Sequence, residues 1–133
     1  MIKLKAHIVS RGNAQGEALV TSQPISFLGS VDPKTGVVIE KGHELAGKSI
    51  KGKVLVFPSG KGSTVGSYVI YQLKKNGVAP AAMINIKTEP IVAVGAIISE
   101  IPLVDRLEKD PVMSIKTGDK VLVDAIVGSV EII

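Results

Sequence analysis

The residues best suited to chemistry in this chain lie in a glycine-rich stretch between a buried strand and a helix. Residues 58–67 read PSGKGSTVGS; they follow the wholly apolar run VLVF and precede a helical pattern that ends at Asn76 and Gly77. Backbone N–H groups at a helix start point toward one spot and carry partial positive charge. Glycines let the backbone approach a ligand closely. The stretch therefore favours binding of a phosphate or a carboxylate.

Three interpretations of this stretch stay open from the residues alone. Its spacing matches neither the G-x-G-x-x-G nor the G-x-x-x-x-G-K-[ST] nucleotide-binding pattern. It can be a tight turn whose small residues let a helix pack on a sheet, a binding site for an anion or carboxylate, or the position of a reactive Ser63. Ser63 is also a suitable N-cap residue for the helix.

The elements that must position this stretch are mostly strands. Alternation and turn residues predict strands at residues 2–9, 17–20, 37–39, 54–57, 80–86, 103–104, 112–115, 121–125 and 130–132, with a turn-rich stretch at 11–16. A helix is indicated by the three-to-four-residue spacing of Val65, Tyr68 or Val69, Gln72 and Leu73, and residues 90–99 are expected to form a second, short helix or an apolar loop. This order predicts an α/β fold with a strand-rich, barrel-like core and a few helices, in one domain over residues 1–133.

The composition is that of a small globular protein with an aliphatic core. The chain has 133 residues, of which 45% are hydrophobic, 21% are charged and only 3% are aromatic. Abundant Ile and Val suit strands. The N-terminus lacks the apolar block of a signal peptide, and the longest apolar run falls far below the ~18 residues of a membrane helix. We expect a soluble, cytoplasmic protein.

The sequence contains no cysteine, which excludes several kinds of site. A disulfide framework, a thiolate zinc site, a cysteine nucleophile and self-supplied iron–sulfur ligation all require one. We therefore expect no metal site in this chain, and an iron–sulfur cluster would have to be held by a partner.

The net charge of +4 does not indicate a nucleic-acid-binding protein. Arg11 and Arg106 are the sole arginines, whereas recognition of nucleic acids depends on arginine and on stacking aromatic side chains. The lysines are spread along the chain and favour a solvated surface. Abundant Lys, Ile and Val with few Asn, Gln and Met residues are also typical of thermophiles.

Other polar residues have simpler structural interpretations. His7 shares the polar face of the first strand with lysines, so we expect it to be exposed. His43 is interpreted as a loop residue and Asp32 as a turn former before a proline. Glu17 and Glu89 lie beside apolar segments, and the sequence identifies no partner for either.

Longer motifs resemble the small subunits of the aconitase X family, and the resemblance runs nearly end to end. They lie at residues 27–36 (FLGSVDPKTG), 45–49 (LAGKS), 52–56 (GKVLV), 58–63 (PSGKGS) and 73–82 (LKKNGVAPAA). The resemblance implies a swivelling β/β/α domain. The family usually has Gly-Gly where this chain has Gly29-Ser30, so a backbone conformation that needs positive φ at Ser30 would be strained.

The resemblance also implies a two-chain hydro-lyase. A large subunit would hold an iron–sulfur cluster, of the [4Fe-4S] type, through its own cysteines, and the small subunit would close over the active site. The implied reaction is the dehydration of (R)-5-phosphomevalonate to trans-anhydromevalonate 5-phosphate in the archaeal mevalonate pathway, with the cluster iron as Lewis acid.

The site residues follow from the same resemblance. Aconitase-like swivel domains carry a Gly-Ser-Ser-Arg motif at a helix start, and the matching residues here are 62–65 (GSTV). Proton abstraction is thereby assigned to Ser63. Val65 replaces the motif arginine, so backbone amides, Lys61 or the large subunit must bind the substrate carboxylate. The expected substrate-binding residues are Ser59, Gly60, Lys61, Gly62 and Thr64.

Two alternative functions remain open from the sequence. The chain can be a subunit of a hydroxyproline dehydratase of the same family, or a stand-alone anion-binding or regulatory module that uses residues 60–63. Formation of a complex with a large subunit, followed by assay of both substrates, would separate these possibilities.

Overall fold

A computed structural model describes residues 2–62 and 64–133. Within them the chain forms eight strands and three helices. They are β1 (Ile2–Lys5), β2 (His7–Ser10), β3 (Asn13–Val20), β4 (Val54–Phe57), α1 (Gly66–Lys75), β5 (Ala82–Asn85), α2 (Pro90–Ile98), β6 (Leu103–Asp105), α3 (Pro111–Ser114), β7 (Lys120–Asp124) and β8 (Ser129–Ile132).

The strands form one mixed sheet in the order β1-β8-β7-β3-β4-β5-β6-β2. Strands β3 to β6 are parallel neighbours, whereas β1, β8, β7 and β3 are joined by antiparallel ladders and β2 is antiparallel to β6. Ala6 alone separates β1 from β2, although these strands occupy opposite ends of the order. The sheet must therefore curl until its two ends meet near Ala6, and it stays open rather than closing into a barrel.

Both faces of the parallel strands are covered, which produces three layers. On one face Leu55 and Phe57 of β4 join a core that includes Val69 of α1 and Val92 of α2. On the other face Val54 and its neighbours pack against the antiparallel strands. A strand buried on both sides needs a continuous apolar sequence, as VLVF supplies. The predicted α/β class and β/β/α layering are confirmed.

Several predicted elements differ from the structure. The predicted strand 2–9 breaks at Ala6, and residues 13–16 belong to β3 rather than to a turn. Gly16 permits this pairing, because a Cβ there would lie 2.8 Å from the carbonyl oxygen of Gly52. Residues 37–39 contribute only isolated bridges from Val37 and Val38.

The strand predicted at residues 112–115 is wrong, because Pro111–Ser114 is the helix α3. The Asp110 side chain accepts a hydrogen bond from the Val112 N–H (2.9 Å), and a proline in the first turn fits a helix start. Helix α1 ends as predicted at Asn76. Of the residues whose spacing predicted the helix, Val69 and Leu73 are buried, whereas Val65 is exposed and precedes the helix.

Candidate functional site

The glycine-rich stretch lies at the carboxyl ends of the parallel strands. Residues 58–62, called the glycine loop here, follow β4 directly, and residues 86–89 follow β5. The Ile86 N–H donates to the Pro58 carbonyl (3.0 Å), which joins the two connections. Ligands of open α/β sheets bind outside the carboxyl ends of the strands, so this edge is the candidate site.

The glycine loop is held on one side by the backbone of Ile25. The Ile25 N–H donates to the Ser59 carbonyl (3.2 Å), and the Lys61 N–H donates to the Ile25 carbonyl (3.1 Å). These two bonds form a parallel bridge between Ile25 and Gly60. The course of the loop is thus set by a segment more than 30 residues earlier in the sequence.

On its other side the loop lies against the start of α2. A Cβ at Gly60 would fall 2.5 Å from Val92 Cγ2 and 2.6 Å from Glu89 Oε1. Glu89 is the N-cap residue of α2, and its Oε1 accepts a hydrogen bond from the Val92 N–H (2.8 Å). Glycine at position 60 is therefore required for packing against α2, in support of the tight-turn interpretation.

Two further glycines let the chain pass close to Ser26. Gly62 has φ +90°, and a Cβ there would lie 3.3 Å from Ser26 Cβ. At Gly66, the first residue of α1, a Cβ would lie 2.9 Å from the Ser26 carbonyl oxygen. The start of α1 is thereby held beside the segment that also binds the loop.

The two helices that begin near this edge offer different N-termini to a ligand. The N-terminus of α2 is occupied by the Glu89 carboxylate of the chain itself. The first turn of α1, residues 66–69, contains no acidic residue. Because an anion is stabilised at a helix N-terminus, this turn is compatible with an external carboxylate or phosphate.

A chain of polar contacts runs from Ser26 to the loop. The Ser26 and Ser30 hydroxyl oxygens are 2.7 Å apart, and the Ser30 hydroxyl donates to Glu40 Oε1. Glu40 Oε2 accepts a hydrogen bond from Lys61 Nζ at 3.4 Å. The Ser30 hydrogen bond lowers the pKa of Glu40, and together with Lys61 it outweighs the opposite effect of burial.

The Gly29-Ser30 pair is compatible with the backbone. Gly29 takes the positive φ (+81°), whereas Ser30 does not have a positive φ and its side chain is buried. A bulky residue nearby does adopt a left-handed conformation, since Phe27 has φ +64°. Its ring is fully buried and packs edge-to-face on Phe57, with ring centroids 5.9 Å apart.

A cavity of about 440 Å³ adjoins the loop. Lys87 and Glu89 contribute charged groups to its wall, and Ser59 connects it with the glycine loop. The cavity lies at the same carboxyl edge of the sheet as the N-terminus of α1, so a ligand at that edge has room beside the loop. Its lining residues are Pro58, Ser59, Ile86, Lys87, Thr88, Glu89 and Pro90.

The two histidines have structural partners away from the glycine loop. His7 is exposed, as expected, and its Nδ1 lies 2.7 Å from Asp105 Oδ1. His43 is buried: its Nδ1 accepts a hydrogen bond from the Leu45 N–H (3.1 Å), so the ring proton is on Nε2, which donates to the Pro24 carbonyl (3.2 Å). His43 therefore stabilises its loop.

The remaining acidic residues interpreted from the sequence also have partners. Asp32 accepts a hydrogen bond from the Lys34 N–H (2.9 Å), as expected of a turn former. Glu17 pairs with Lys53 at 3.6 Å, and Glu89 caps α2. Each of these side chains is explained by local structure.

The structure brings four of the expected site residues together in the glycine loop: Ser59, Gly60, Lys61 and Gly62. Thr64 is exposed just before α1, which begins at Gly66. Ser63, expected to be both N-cap and catalytic base, lies outside the described residues. Sequence reasoning missed Ser26 and Glu40, although Ser30, which contacts both, was noted as a departure from the family pattern.

The described parts of the chain contain neither a metal-ligand cluster nor a membrane-spanning helix. Residues 2–62 and 64–133 contain no cluster of three or more His, Cys, Asp or Glu side chains that could hold a metal ion. Of the helices that the structure describes, the 10-residue α1 is the longest, and none could span a bilayer.

Known proteins resemble this chain along nearly its whole length. The phosphomevalonate dehydratase small subunit of Methanosarcina acetivorans is 71% identical over 132 residues, which cover 99% of this chain and 92% of that protein. The protein of the same name from Thermococcus kodakarensis is 56% identical, with 99% and 97% covered.

Solved structures and a family model agree with these relatives. The crystal structure of Thermococcus kodakaraensis aconitase X in its holo-form superposes with a TM-score of 0.95 at 56% identity, covering 100% of this chain and 99% of that chain. A second structure, determined by NMR in solution, has a TM-score of 0.91 at 54% identity, with 99% of each chain covered. The model of the aconitase X swivel domain matches residues 3–132. The chain therefore belongs to the aconitase X swivel-domain family.

Proposed function

We propose that this chain is the small subunit of an archaeal phosphomevalonate dehydratase. This hydro-lyase removes water from (R)-5-phosphomevalonate and forms trans-anhydromevalonate 5-phosphate. The observation that carries the proposal is the 71% identity, over 99% of the chain, to a protein with that name. The anion-compatible N-terminus of α1 beside the glycine loop supports it, because the substrate has a carboxylate and a phosphate.

The proposal includes a large subunit as partner, with residues 1–133 acting as one swivel domain. This chain has no cysteine, and its described residues contain no metal-ligand cluster, so its residues do not fit an iron–sulfur cluster. In our proposal the [4Fe-4S] cluster of the enzyme is held by cysteines of the large subunit. The small subunit binds the anionic substrate and moves a proton.

Ser63 is the proposed proton acceptor. It takes a proton from the carbon next to the substrate carboxylate, the C–H electron pair forms the double bond, and the hydroxyl group of the adjacent carbon leaves as water after gaining a proton. A helix N-terminus contributes at most about 2 kcal/mol, which is too little to make serine a competent base at neutral pH. The proposal therefore adds backbone N–H groups of Gly60, Gly62 and Thr64 as donors to the serine oxygen.

Replacement of the proposed base tests its role directly. Ser63→Ala in the two-subunit complex is expected to lower kcat about 10²–10⁴-fold, as for loss of a general base, while the subunits still assemble. Steady-state kinetics and size-exclusion chromatography measure the two effects. Ser114→Ala, in α3 on the opposite layer, is the matched control and should retain activity. Near-normal turnover of Ser63→Ala would overturn the assignment.

A mixing assay tests the substrate and the need for a partner. The small subunit and its large subunit, produced together, are expected to dehydrate phosphomevalonate and not cis-3-hydroxyproline. Dehydration of cis-3-hydroxyproline instead would identify the related dehydratase of the same family. If no complex forms and mixing yields no dehydratase activity, the chain acts as an independent anion-binding module.

A further inference from the structure

Lys61 contributes the positively charged side chain of the glycine loop. Its backbone and its side-chain ammonium group each have a partner in the protein. Its backbone N–H donates to the Ile25 carbonyl (3.1 Å), and its Nζ lies 3.4 Å from Glu40 Oε2. A free lysine side chain has about 2 kcal/mol of rotamer entropy to lose when it binds a ligand. A lysine whose side chain is already ordered loses less on binding.

Glu40 is itself held in place before it meets Lys61. Its Oε1 accepts the Ser30 hydroxyl hydrogen bond, which leaves Oε2 directed at Lys61. Ser30 is fully buried and also contacts the Ser26 hydroxyl at 2.7 Å. The two carboxylate oxygens therefore have separate partners, and the orientation of Glu40 is set from the protein interior.

Glu40 is suited to be a fixed charge and not a proton acceptor. The Ser30 hydrogen bond, with help from Lys61, keeps the pKa of Glu40 below its ordinary value despite burial. The carboxylate is consequently ionised at neutral pH. The side chain of Lys61 keeps 46% of its surface exposed, and a lysine ammonium has three donors, so donors remain for an anionic ligand.

We infer that Glu40 is a positioning residue that holds the Lys61 ammonium at the glycine loop, so that an anionic group of the substrate meets a cation already in place. The inference rests on the proposed function and extends it to a residue outside the loop. Glu40 does not touch the substrate in this arrangement and acts entirely through Lys61.

A double-mutant cycle in the two-subunit complex tests the inference. Glu40→Gln keeps an acceptor for Ser30 but removes the charge that faces Lys61. We expect KM for phosphomevalonate to rise about 3–5-fold, in the range of a partly exposed ion pair, with kcat within about twofold of the wild type. Lys61→Gln should raise KM at least as much, and Glu40→Gln should have no further effect in that background.

Glu44→Gln is the matched control. The Glu44 carboxylate also accepts a hydroxyl hydrogen bond, from Thr21, and a backbone one from the Ser22 N–H (2.6 Å), and these bonds lower its pKa in the same way. Because those partners carry no positive charge, the KM of the Glu44→Gln complex for phosphomevalonate should equal that of the wild type.

The outcomes separate the inference from the proposed function. An unchanged or lower KM in Glu40→Gln, or the same rise in KM with and without Lys61, would overturn the positioning role. A wild-type complex that does not dehydrate phosphomevalonate would overturn the proposed function instead. A rise in KM confined to the background that contains Lys61 supports the inference.

Discussion

At the scale of single residues, Gly60 shows that a glycine can serve packing and ligand approach together. The sequence offered a tight turn and an anion site as alternatives. The tight turn is required, because a Cβ at Gly60 would collide with Val92 and Glu89. The anion site is compatible with the position of the loop beside the N-terminus of α1. The two interpretations are therefore not exclusive.

Gly60→Ala should impair both stability and activity. The new Cβ would lie within 2.6 Å of Val92 Cγ2 and Glu89 Oε1, so the loop must move or α2 must lose its cap. We expect a loss of about 1–3 kcal/mol in the free energy of unfolding, measured by denaturant titration, and lower kcat/KM in the complex.

Gly118→Ala is the control for this substitution. Gly118 has φ +97° with no heavy atom within 4 Å of a Cβ, so alanine there costs about 1–2 kcal/mol in backbone strain alone. Activity should be retained. Equal losses of kcat/KM in the two variants would show that Gly60 acts only through global stability.

The partners of the loop could not be predicted from local sequence. Glu40 lies 21 residues before Lys61, and isolated Glu and Ser residues carry no pattern that signals a contact. Their meeting depends on the course of the connection after Ile25, including the left-handed Phe27. The glycine loop itself was predictable because a buried strand, glycines and a helical pattern follow one another in the sequence.

At the scale of elements, the packing of α1 on α2 determines where the N-terminus of α1 lies. Gly95 of α2 allows the approach, because a Cβ there would lie 2.7 Å from Ile70 Cδ1 and 3.2 Å from Ser67 Cα. Ser67 is in the first turn of α1. The close packing of the two helices thus fixes the position of the N-terminus of α1 at the candidate site.

Gly95→Ala should destabilise the protein although alanine favours helices. Alanine gains about 1 kcal/mol of helix propensity over glycine, whereas overpacking costs about 1–3 kcal/mol. Ile70→Val removes the closest atom, so in the Gly95→Ala background it should be less destabilising than alone. Denaturant titration of the four proteins measures the coupling. A Gly95→Ala variant more stable than the wild type would contradict the close packing.

Helices and strands were predicted best where the sequence carries a distinct signal. The end of α1 at Asn76, the wholly apolar strand β4 and the strand β8 were all indicated by sequence. Other elements were missed: four residues of α3 cannot reveal a helical period, and the pairing of β3 with β7 extends a strand through residues that favour turns.

At the scale of the whole molecule, both faces of the parallel strands are buried between helices and antiparallel strands. The apolar run of β4 predicted this coverage. The strand order was not predictable, because it depends on the break at Ala6, a residue that fits the alternating pattern on either side. Only the tertiary pairing of β1 with β8 and of β2 with β6 separates them.

Stability should fall in acid because several carboxylates prefer the ionised form in the folded state. The Ser30 hydroxyl lowers the pKa of Glu40, and the Thr21 hydroxyl lowers that of Glu44. Burial raises the pKa of Asp105, but the Thr88 N–H and His7 outweigh it and the net direction is down. A lowered pKa in the folded state means that the unfolded chain binds protons more readily, so stability is lost as pH falls.

Thermal unfolding between pH 3 and pH 7 measures this effect. The contribution of these groups is complete above their ordinary pKa values of 4.5 for Glu and 3.8 for Asp. We expect Tm to decrease as pH falls through and below that range, and Asp105→Asn to make the decrease shallower. A Tm that stays constant down to pH 3 would contradict the prediction.

The break at Ala6 has a consequence for the order in which the chain can fold. Strand β2 pairs with residues 103–105, and Ile2 of β1 pairs with Ile132. The residues of β1 and β2 are therefore synthesised long before the residues with which they pair. Contacts between such distant residues slow folding. Until residues 129–132 emerge from the ribosome, β1 cannot pair with β8. The edges of β1 and β7 that β8 would cover then stay unpaired, and unpaired strand edges promote aggregation unless they are protected in another way.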